Sequence, residues 1–563
     1  MDDEFVTSVR EAAVRGAAEV AATTAADTDG LAHRELMRRA KVLGSVALAA
    51  PESAPVDVFG RTAALVERLA ALQTASGLFE GGDNVQSPPD SAFTINDVCD
   101  VHHLLGAAPA EAAGLRERLA EILIRATPAL LAGGVHTPNH RWELTAALAR
   151  IHRSFPDRRL VDRAEEWLAE GIDIDGDGFF SERSPNYATA VSIPSLLAVA
   201  DILDRPELRA DVERNLELTL SLIGQDGAVE TLPSRRQDQG THFPLARYVA
   251  AFREFAVNTG RGDFAWAAGR AASDGIDDQG LLAELLLRPA IGGELPAALA
   301  PRRDELVVHA SASLAVRRGD RSELVLFGGS DYPRHRRIRS GLAVDPTFLR
   351  VFAGAAILDS ARLSRSFFGL GPFRADGLHR QEDGGIALRE RLVGGYYEPL
   401  PIEARRPDGG YDLVDEGRFS ASMSFGERSV DEVVLATSVV AHPRADGVDL
   451  EVELSGPPLA WSLELAFRPG GVLDAPGPRP SDGAYVLIGR TASYRAGGDA
   501  IVIEVEGLTP VDNPIGYVPG EDYTYLGGTD AAPGVRLLIG GQAPARFRLR
   551  LRTERDATSG AAA

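Results

Sequence analysis

The stretch Pro289-Ala290-Ile291-Gly292-Gly293-Glu294-Leu295-Pro296-Ala297-Ala298-Leu299-Ala300-Pro301, followed by Glu305-Leu306-Val307-Val308-His309-Ala310, divides the chain into two kinds of sequence. Before it, apolar residues recur at the spacing of helices. Ala/Leu-rich runs lie near residues 5–25, 32–50, 59–75, 94–106, 110–132, 139–154, 158–171, 187–203, 206–223, 243–259, 262–273 and 278–288. The links are short and carry Gly, Pro, Asp or Asn, so consecutive helices are antiparallel neighbours. After the Gly/Pro/Ala crossover the pattern becomes alternation with β-branched residues, as in Ser322-Glu323-Leu324-Val325-Leu326-Phe327, Asp449-Leu450-Glu451-Val452-Glu453-Leu454 and Arg546-Phe547-Arg548-Leu549-Arg550-Leu551. Short strands between Gly and Pro turns predict an antiparallel β-sandwich. The fold class expected is therefore α+β and multidomain. An incomplete ring of helical hairpins, an (α/α) toroid, spans residues 1–290, a linker 291–303, a sandwich 304–552 and a frayed tail 553–563.

A chain of 563 residues is too long for one core. Its 44% hydrophobic and 25% charged content is that of a folded globular protein. A net charge of −22 argues against nucleic acid or an anionic membrane surface as partner. No stretch reaches the roughly 20 apolar residues of a membrane span. The acidic N-terminus lacks the basic and apolar regions of a signal peptide, which predicts a cytoplasmic protein. Lys41 is the only lysine and Cys99 the only cysteine. Disulfide frameworks and Cys-rich zinc sites are thereby excluded, and lysine chemistry is confined to one position. Nearly all positive charge is arginine, the side chain that grips carboxylates with a bidentate fork.

Four polar stretches interrupt the helical half, and a fifth lies in the β half. The first runs from Gly77 to Asp90, a long loop in which Gln86 and Asp90 are candidate substrate contacts. The second is His136-Thr137-Pro138-Asn139-His140-Arg141-Trp142-Glu143. Thr137 suits an N-cap and Pro138 the first helical position, which puts Asn139 and His140 among the free N–H groups of a first turn. The positive end of the helix keeps His140 neutral and able to accept a proton. Arg141 and Glu143 complete the cluster, and an ordinary capped helix is the plain alternative. The third stretch, Asp173 to Tyr187, opens like a calcium loop but has Ser184 where an acidic twelfth ligand belongs. No cofactor is expected beyond a structural divalent ion, calcium or zinc. Arg183 and Tyr187 follow, and a guanidinium nearby favours phenolate. The fourth, Gln225 to His242, pairs Arg235 and Arg236 with Gln237 and His242, a set suited to an acidic sugar. The fifth is the basic run Asp331 to Arg339, holding His335, for which a surface strand with alternating arginines is the plain alternative.

The order of parts, with Asn139-His140-x-x-Glu143, Tyr187 and the Arg235-Arg236 loop, resembles the heparinase II/III-like and alginate-lyase-like polysaccharide lyases. That resemblance implies β-elimination on a uronic-acid-containing glycan. Asn139 with an arginine would neutralise the carboxylate, His140 and Tyr187 would handle protons, and His335 would assist from the sandwich. The partner implied is an acidic oligosaccharide or polysaccharide. Two other readings remain: a glycoside hydrolase of the (α/α)6 type using two of Glu143, Glu182, Glu230 and Asp238 across a cleft, and a glycan-binding protein without turnover.

Overall fold

The computed structural model describes residues 1–24, 26–302, 304–475, 483–508, 516–517 and 532–555. Its contacts divide the chain into two units, Met1–Ile223 with Phe243–Pro301, and Gly224–His242 with Arg302–Ala563. Among the described residues no helix is long and apolar enough to cross a membrane.

The first unit is helical. Its main helices are α1 (Asp3–Ala22), α2 (His33–Ala49), α3 (Val58–Ala71), α4 (Pro88–Leu104), α5 (Ala113–Ala132), α6 (Pro138–Ser154), α7 (Arg158–Leu168), α8 (Ile193–Ile202), α9 (Glu207–Leu222), α10 (Val249–Thr259), α11 (Gly262–Ala271) and α12 (Leu281–Leu287). Packing follows a rule of alternation. Helices α2, α4, α6 and α8 contact one another in succession, and α3, α5 and α7 do the same in a second row. The first row is buried on most sides, and it carries most of this unit's buried polar groups. Asp90, Asn96 and Asp100 lie on α4, Asn139, His140 and Glu143 on α6, and Ser195 on α8. By contrast α7 buries only Leu160 and Ala164, one stripe of an amphipathic helix. Helix α4 begins six residues before the expected start near 94, because Ser87 caps it by accepting from the Asp90 N–H at 3.2 Å and Pro88 fills the first position. Asp90 is therefore a first-turn helix residue rather than a loop residue.

Among the described residues the second unit is built on a 14-stranded sheet, antiparallel except where Ala484–Val486 joins Arg536–Glu554. Its central strand β9 (Gly447–Phe467) pairs along its length with β14 (Arg536–Glu554). On its other edge the first half pairs with β8 (Val430–Arg444) and the second half with β5 (Ala356–Arg365). The change of neighbour follows an irregularity between Leu454 and Leu459, where Gly456 has φ 152° and two prolines follow. Strand β8 pairs in turn with β7 (Ile386–Tyr397), while β4 (Leu349–Ala353), β3 (Glu323–Phe327), β2 (Leu314–Arg318) and β1 (Leu306–His309) extend the sheet beyond β5. Further strands are β6 (Leu378–Arg380), β10 (Val472–Asp474), β11 (Ala484–Val486), β12 (Thr491–Ala496) and β13 (Asp499–Glu506). Core aromatics stack in pairs, Trp461 on Phe547 at 4.9 Å and Phe467 on Tyr494 at 4.6 Å. Strand β14 runs to Glu554 with Thr553 buried, so regular structure extends past the expected end of the sandwich at 552. Residues 556–563 lie outside the described residues.

The helical expectation for 1–290 meets one exception, the segment Gly224–His242, which groups with the β unit. Hydrogen bonds and charge explain why. Arg350 on β4 gives one guanidinium nitrogen to Glu230 at 2.8 Å and another to the Gly240 carbonyl at 2.8 Å. Gln239 accepts from the Val344 and Asp345 N–H groups at 3.0 Å each, and the Gln225 N–H donates to Glu323 at 2.9 Å. Arg468 joins Asp226 to Asp359 at 2.8 Å each. Both Arg350 and Glu230 are buried, so removing one strands the other. Arg350→Ala is expected to cost about 3–5 kcal/mol. Denaturant unfolding measures that loss, and tryptic cleavage after Arg235 and Arg236 should speed up with it.

Candidate functional site

The first turn of α6 is where polar groups from three parts of the helical unit meet. Thr137 takes the N-cap position with extended backbone and Pro138 the first helical position, as expected. The expected capping bond is not made: the Thr137 hydroxyl is buried without a partner. What holds this turn instead is side-chain contact with the Asp173–Tyr187 loop. The Asn139 amide nitrogen donates to the Glu182 carboxylate at 2.5 Å, and both residues are buried. Trp142 Nε1 donates to Asp173 at 2.8 Å, and Arg141 bridges Glu170 at 3.0 Å and Asp173 at 3.5 Å. Arg141 is thus used inside the unit to fasten the loop.

The same loop leads to Tyr187. Arg183 adopts φ 51°, a left-handed turn, and Ser184 then caps the next helical segment by accepting from the Tyr187 N–H at 3.1 Å. Tyr187 is half-buried. It is followed by a π-helical turn, Ala188–Ser192, that packs on α6. The first turn of α6, with Asn139 and His140, is thereby tied through Glu182 to the loop that leads to Tyr187. The Asn139 amide nitrogen has one hydrogen bond and two protons, and its carbonyl oxygen is buried with no partner.

On the other flank of His140, the edge of Phe93 meets the imidazole at 6.1 Å and the exposed His136 ring lies 4.6 Å away. The Arg34 guanidinium sits 4.0 Å over the Phe93 ring and pairs with the buried Asp90. Asp90 also accepts from the Asn84 backbone and side chain at 2.8 and 2.9 Å. Asp90 therefore fastens the Gly77–Ser87 loop to α4, while Gln86 on that loop is exposed with φ 47°. His33 stacks on Phe79 of this loop, with Nδ1 2.6 Å from the Thr94 hydroxyl. Burial and the neighbouring Arg34 push its pKa down to about 4, so it is neutral.

Beneath the turn, Glu143 is buried, accepting from Asn96 at 2.7 Å and from Ser195 at 3.2 Å. Asn96 in turn accepts from Arg150 at 2.8 Å, and Arg150 pairs with Asp100 at 3.0 Å. Burial pushes the Glu143 carboxyl up to about 7 from an ordinary value of 4.5, and the two hydrogen bonds and Arg150 only partly offset it. The sign follows from that direction. The folded state prefers the protonated form, so stability falls as pH rises from about 4.5 to 7, by roughly 3 kcal/mol. Glu143→Gln, which mimics the protonated carboxyl, is expected to raise the melting temperature at pH 8 and to leave it nearly unchanged at pH 4.5. Melting curves across that range check it.

The calcium-like opening is closed by its own hydrogen bonds. Asp175 accepts from the backbone N–H groups of Asp177, Gly178 and Phe179 at 3.0 Å each, and Asp173 accepts from Trp142 and Ser181. Among the described residues no group of three or more His, Cys, Asp or Glu is placed to hold a metal ion. The buried Cys99 thiol is pushed up by desolvation, which leaves it an unreactive core residue.

The remaining candidates belong to the second unit. Arg235 makes a two-pronged pair with Asp331 at 2.8 Å on each arm, and its carbonyl accepts from the Gly341 N–H at 3.1 Å. That commits its guanidinium to holding the 331–341 segment, in place of the free carboxylate grip expected from sequence. Arg236 is half-buried, and Gln237 and His242 are exposed, with His242 Nε2 4.0 Å from Asp226. The basic run is not a strand. Tyr332–His335 forms one helical turn that ends at Arg336 with φ 53°, and His335 is exposed on it. Pro333 fixes that turn, a signal the alternating arginines obscured.

No protein-family model matches the sequence, and a comparison with curated proteins returns no match. Solved structures do resemble it in fold. Heparinase III superposes with a TM-score of 0.56 at 11% identity, over 94% of this chain and 77% of that one. The Streptomyces coelicolor chondroitin AC lyase in complex with chondroitin sulphate gives 0.53 at 11% identity, over 98% and 80%. A Paenibacillus xanthan lyase gives 0.55 at 11% identity, over 100% of this chain and 58% of that one. The fold, helical first and strand-rich second, is one found among polysaccharide lyases.

Proposed function

We propose that this protein is a polysaccharide or oligosaccharide lyase that cleaves a uronic-acid-containing glycan by β-elimination, with its helical unit forming an incomplete (α/α) toroid. The observation that carries the reading is the Asn139–Glu182 hydrogen bond, which ties the Asn-His helix start to the loop bearing Tyr187. The likeness in fold to heparinase, chondroitin lyase and xanthan lyase structures supports it.

Elimination removes the proton at C5 of the uronate and expels the oxygen at C4. The C5 proton is a poor acid until the adjacent carboxylate is neutralised and the enolate-like charge has donors around it. The second N–H of the Asn139 amide is the donor for that carboxylate, with Arg34 or Arg183 as the accompanying cation. Tyr187 takes the C5 proton and returns one to the departing oxygen, and His140 hydrogen-bonds the substrate beside it. The product keeps a double bond between C4 and C5.

The hydrolase alternative needs two carboxylates free to face each other. Glu143 is buried on α6 against Asn96 and Ser195, Glu182 holds Asn139, Glu230 is paired with Arg350 and Asp238 accepts from Ser234 at 2.5 Å. The experiment that tests the proposal is a screen of uronate polymers and oligosaccharides for new ultraviolet absorbance. Absorbance rising with cleavage supports elimination. Reducing ends that appear without absorbance would replace it with hydrolysis.

A further inference from the structure

The exposed face of strands β7, β8 and β9 carries a depression of about 460 Å3 in which charge pairing stops. Register sets two rows across three strands: Arg391–Ala436–Ser455 and Arg389–Ser438–Glu453. Side chains alternate along a strand, so all six share one face. Farther along that face the charges satisfy one another, Arg548 on Glu451 at 2.6 Å and Arg552 on Asp449 at 2.5 Å. In the depression they do not. Among the described residues Arg389, Arg391 and Glu453 make no ion pair, and Arg389 has only a 3.5 Å contact with Gln381. The reason is geometric. The arginines stand on β7 and Glu453 on β9, two strand spacings or about 10 Å apart. Between them β8 presents only Ala436 and Ser438, too short to fill the gap.

We propose that this trough is a second carbohydrate-binding site, distinct from the α6 site, for an acidic disaccharide unit lying across the three strands. The carboxylate of the sugar acid lies on Arg389 and Arg391, which offer planar donors in pairs. Hydroxyls of the adjoining sugar reach Ser438, Ser455 and Glu453, which accept and donate in the mixed way that polyols require. Two linked rings match the distance between the basic and acidic walls, and small residues on the middle strand leave room for them. The ligand class rests on the uronate reading above, while the trough itself rests only on the register and the unpaired charges. A site of this kind holds a polymer near the enzyme and raises its local concentration through a second attachment.

The test uses the saturated disaccharide of glucuronate linked to N-acetylglucosamine, in radiolabelled form. Its uronate carries no sugar on O4, so it cannot be eliminated and no turnover interferes. Equilibrium dialysis counts bound molecules per chain for the wild type and for Arg389→Ala/Arg391→Ala, whose side chains are exposed and whose loss leaves the core intact. The expected result is one fewer binding event, or one weakened at least tenfold, with the elimination rate on a short uronate substrate unchanged within twofold. Glu453→Gln should weaken the same event less. Unchanged stoichiometry and affinity in the double variant would overturn the proposal, as would equal binding of cellobiose, which lacks the carboxylate. A protein that binds in the trough yet produces no absorbance on any uronate keeps this site and loses the lyase reading, so the two failures are distinct.

Discussion

Tyr187→Phe is expected to lower the rate of elimination by about 10²–10⁴-fold, the usual worth of one proton-transfer partner, while leaving the melting temperature within a degree or two. The substitution removes one oxygen and keeps the ring. The backbone of the turn that presents the residue is held by its neighbours: Ser184 accepts from the backbone N–H of residue 187, and Pro185 sets the first helical position. A half-buried aromatic ring remains in place, so the loss is chemical rather than structural. The measurement is ultraviolet absorbance against time under saturating and limiting substrate. A fall in kcat with KM little changed assigns the phenol to the transition state. Activity retained in this variant, with loss in His140→Ala, would move the proton transfer to the imidazole.

Much of the fold can be read from the sequence because its two halves use different periodicities. The twelve helical runs correspond closely to observed helices, since each is an Ala/Leu stripe bounded by Gly, Pro or a polar cap. The change to strands after Pro301 is equally legible. The exception is Gly224–His242, which carries no strong pattern of its own. Its allegiance is set by Arg350, Gln239 and Arg468, contacts with partners 100 residues or more away. Local periodicity carries no information about such pairings.

The helix start of the candidate site was legible in the sequence, and the groups packed around it were not. Asn139 and His140 stand out because Thr137 and Pro138 mark a helix start. Arg34, Phe93 and Asn96 do not, since each sits within an ordinary helical run and reaches the site only when α2, α4 and α6 pack together. Glu182 stood out in the sequence only as one of four carboxylates that a hydrolase could use. Three-dimensional packing turns it into the clamp on Asn139. The basic run around His335 misled in another way, because alternating arginines imitate a surface strand while Pro333 sits in the helical turn Tyr332–His335.

Asn139→Ala is expected to reduce elimination of a free uronate by about 10²–10³-fold, the cost of losing one preplaced donor to a developing oxyanion. The effect should depend on the charge of the substrate. A methyl-esterified uronate carries no carboxylate charge, so its C5 proton is already more acidic and needs less help. The penalty for Asn139→Ala on the ester should therefore be several-fold smaller than on the acid. Glu182 sharpens the prediction. Its carboxylate accepts one N–H of the Asn139 amide, and in the proposed mechanism the second N–H is the one that meets the uronate. A buried anion this close would repel a uronate if the amide were absent, because little solvent screens the pair. Asn139→Ala/Glu182→Gln should thus recover part of the affinity for the free acid that Asn139→Ala alone loses, without recovering kcat. Steady-state rates on matched acid and ester substrates, measured for both variants, separate these terms. Equal losses on acid and ester would show that Asn139 shapes the turn and does not neutralise charge.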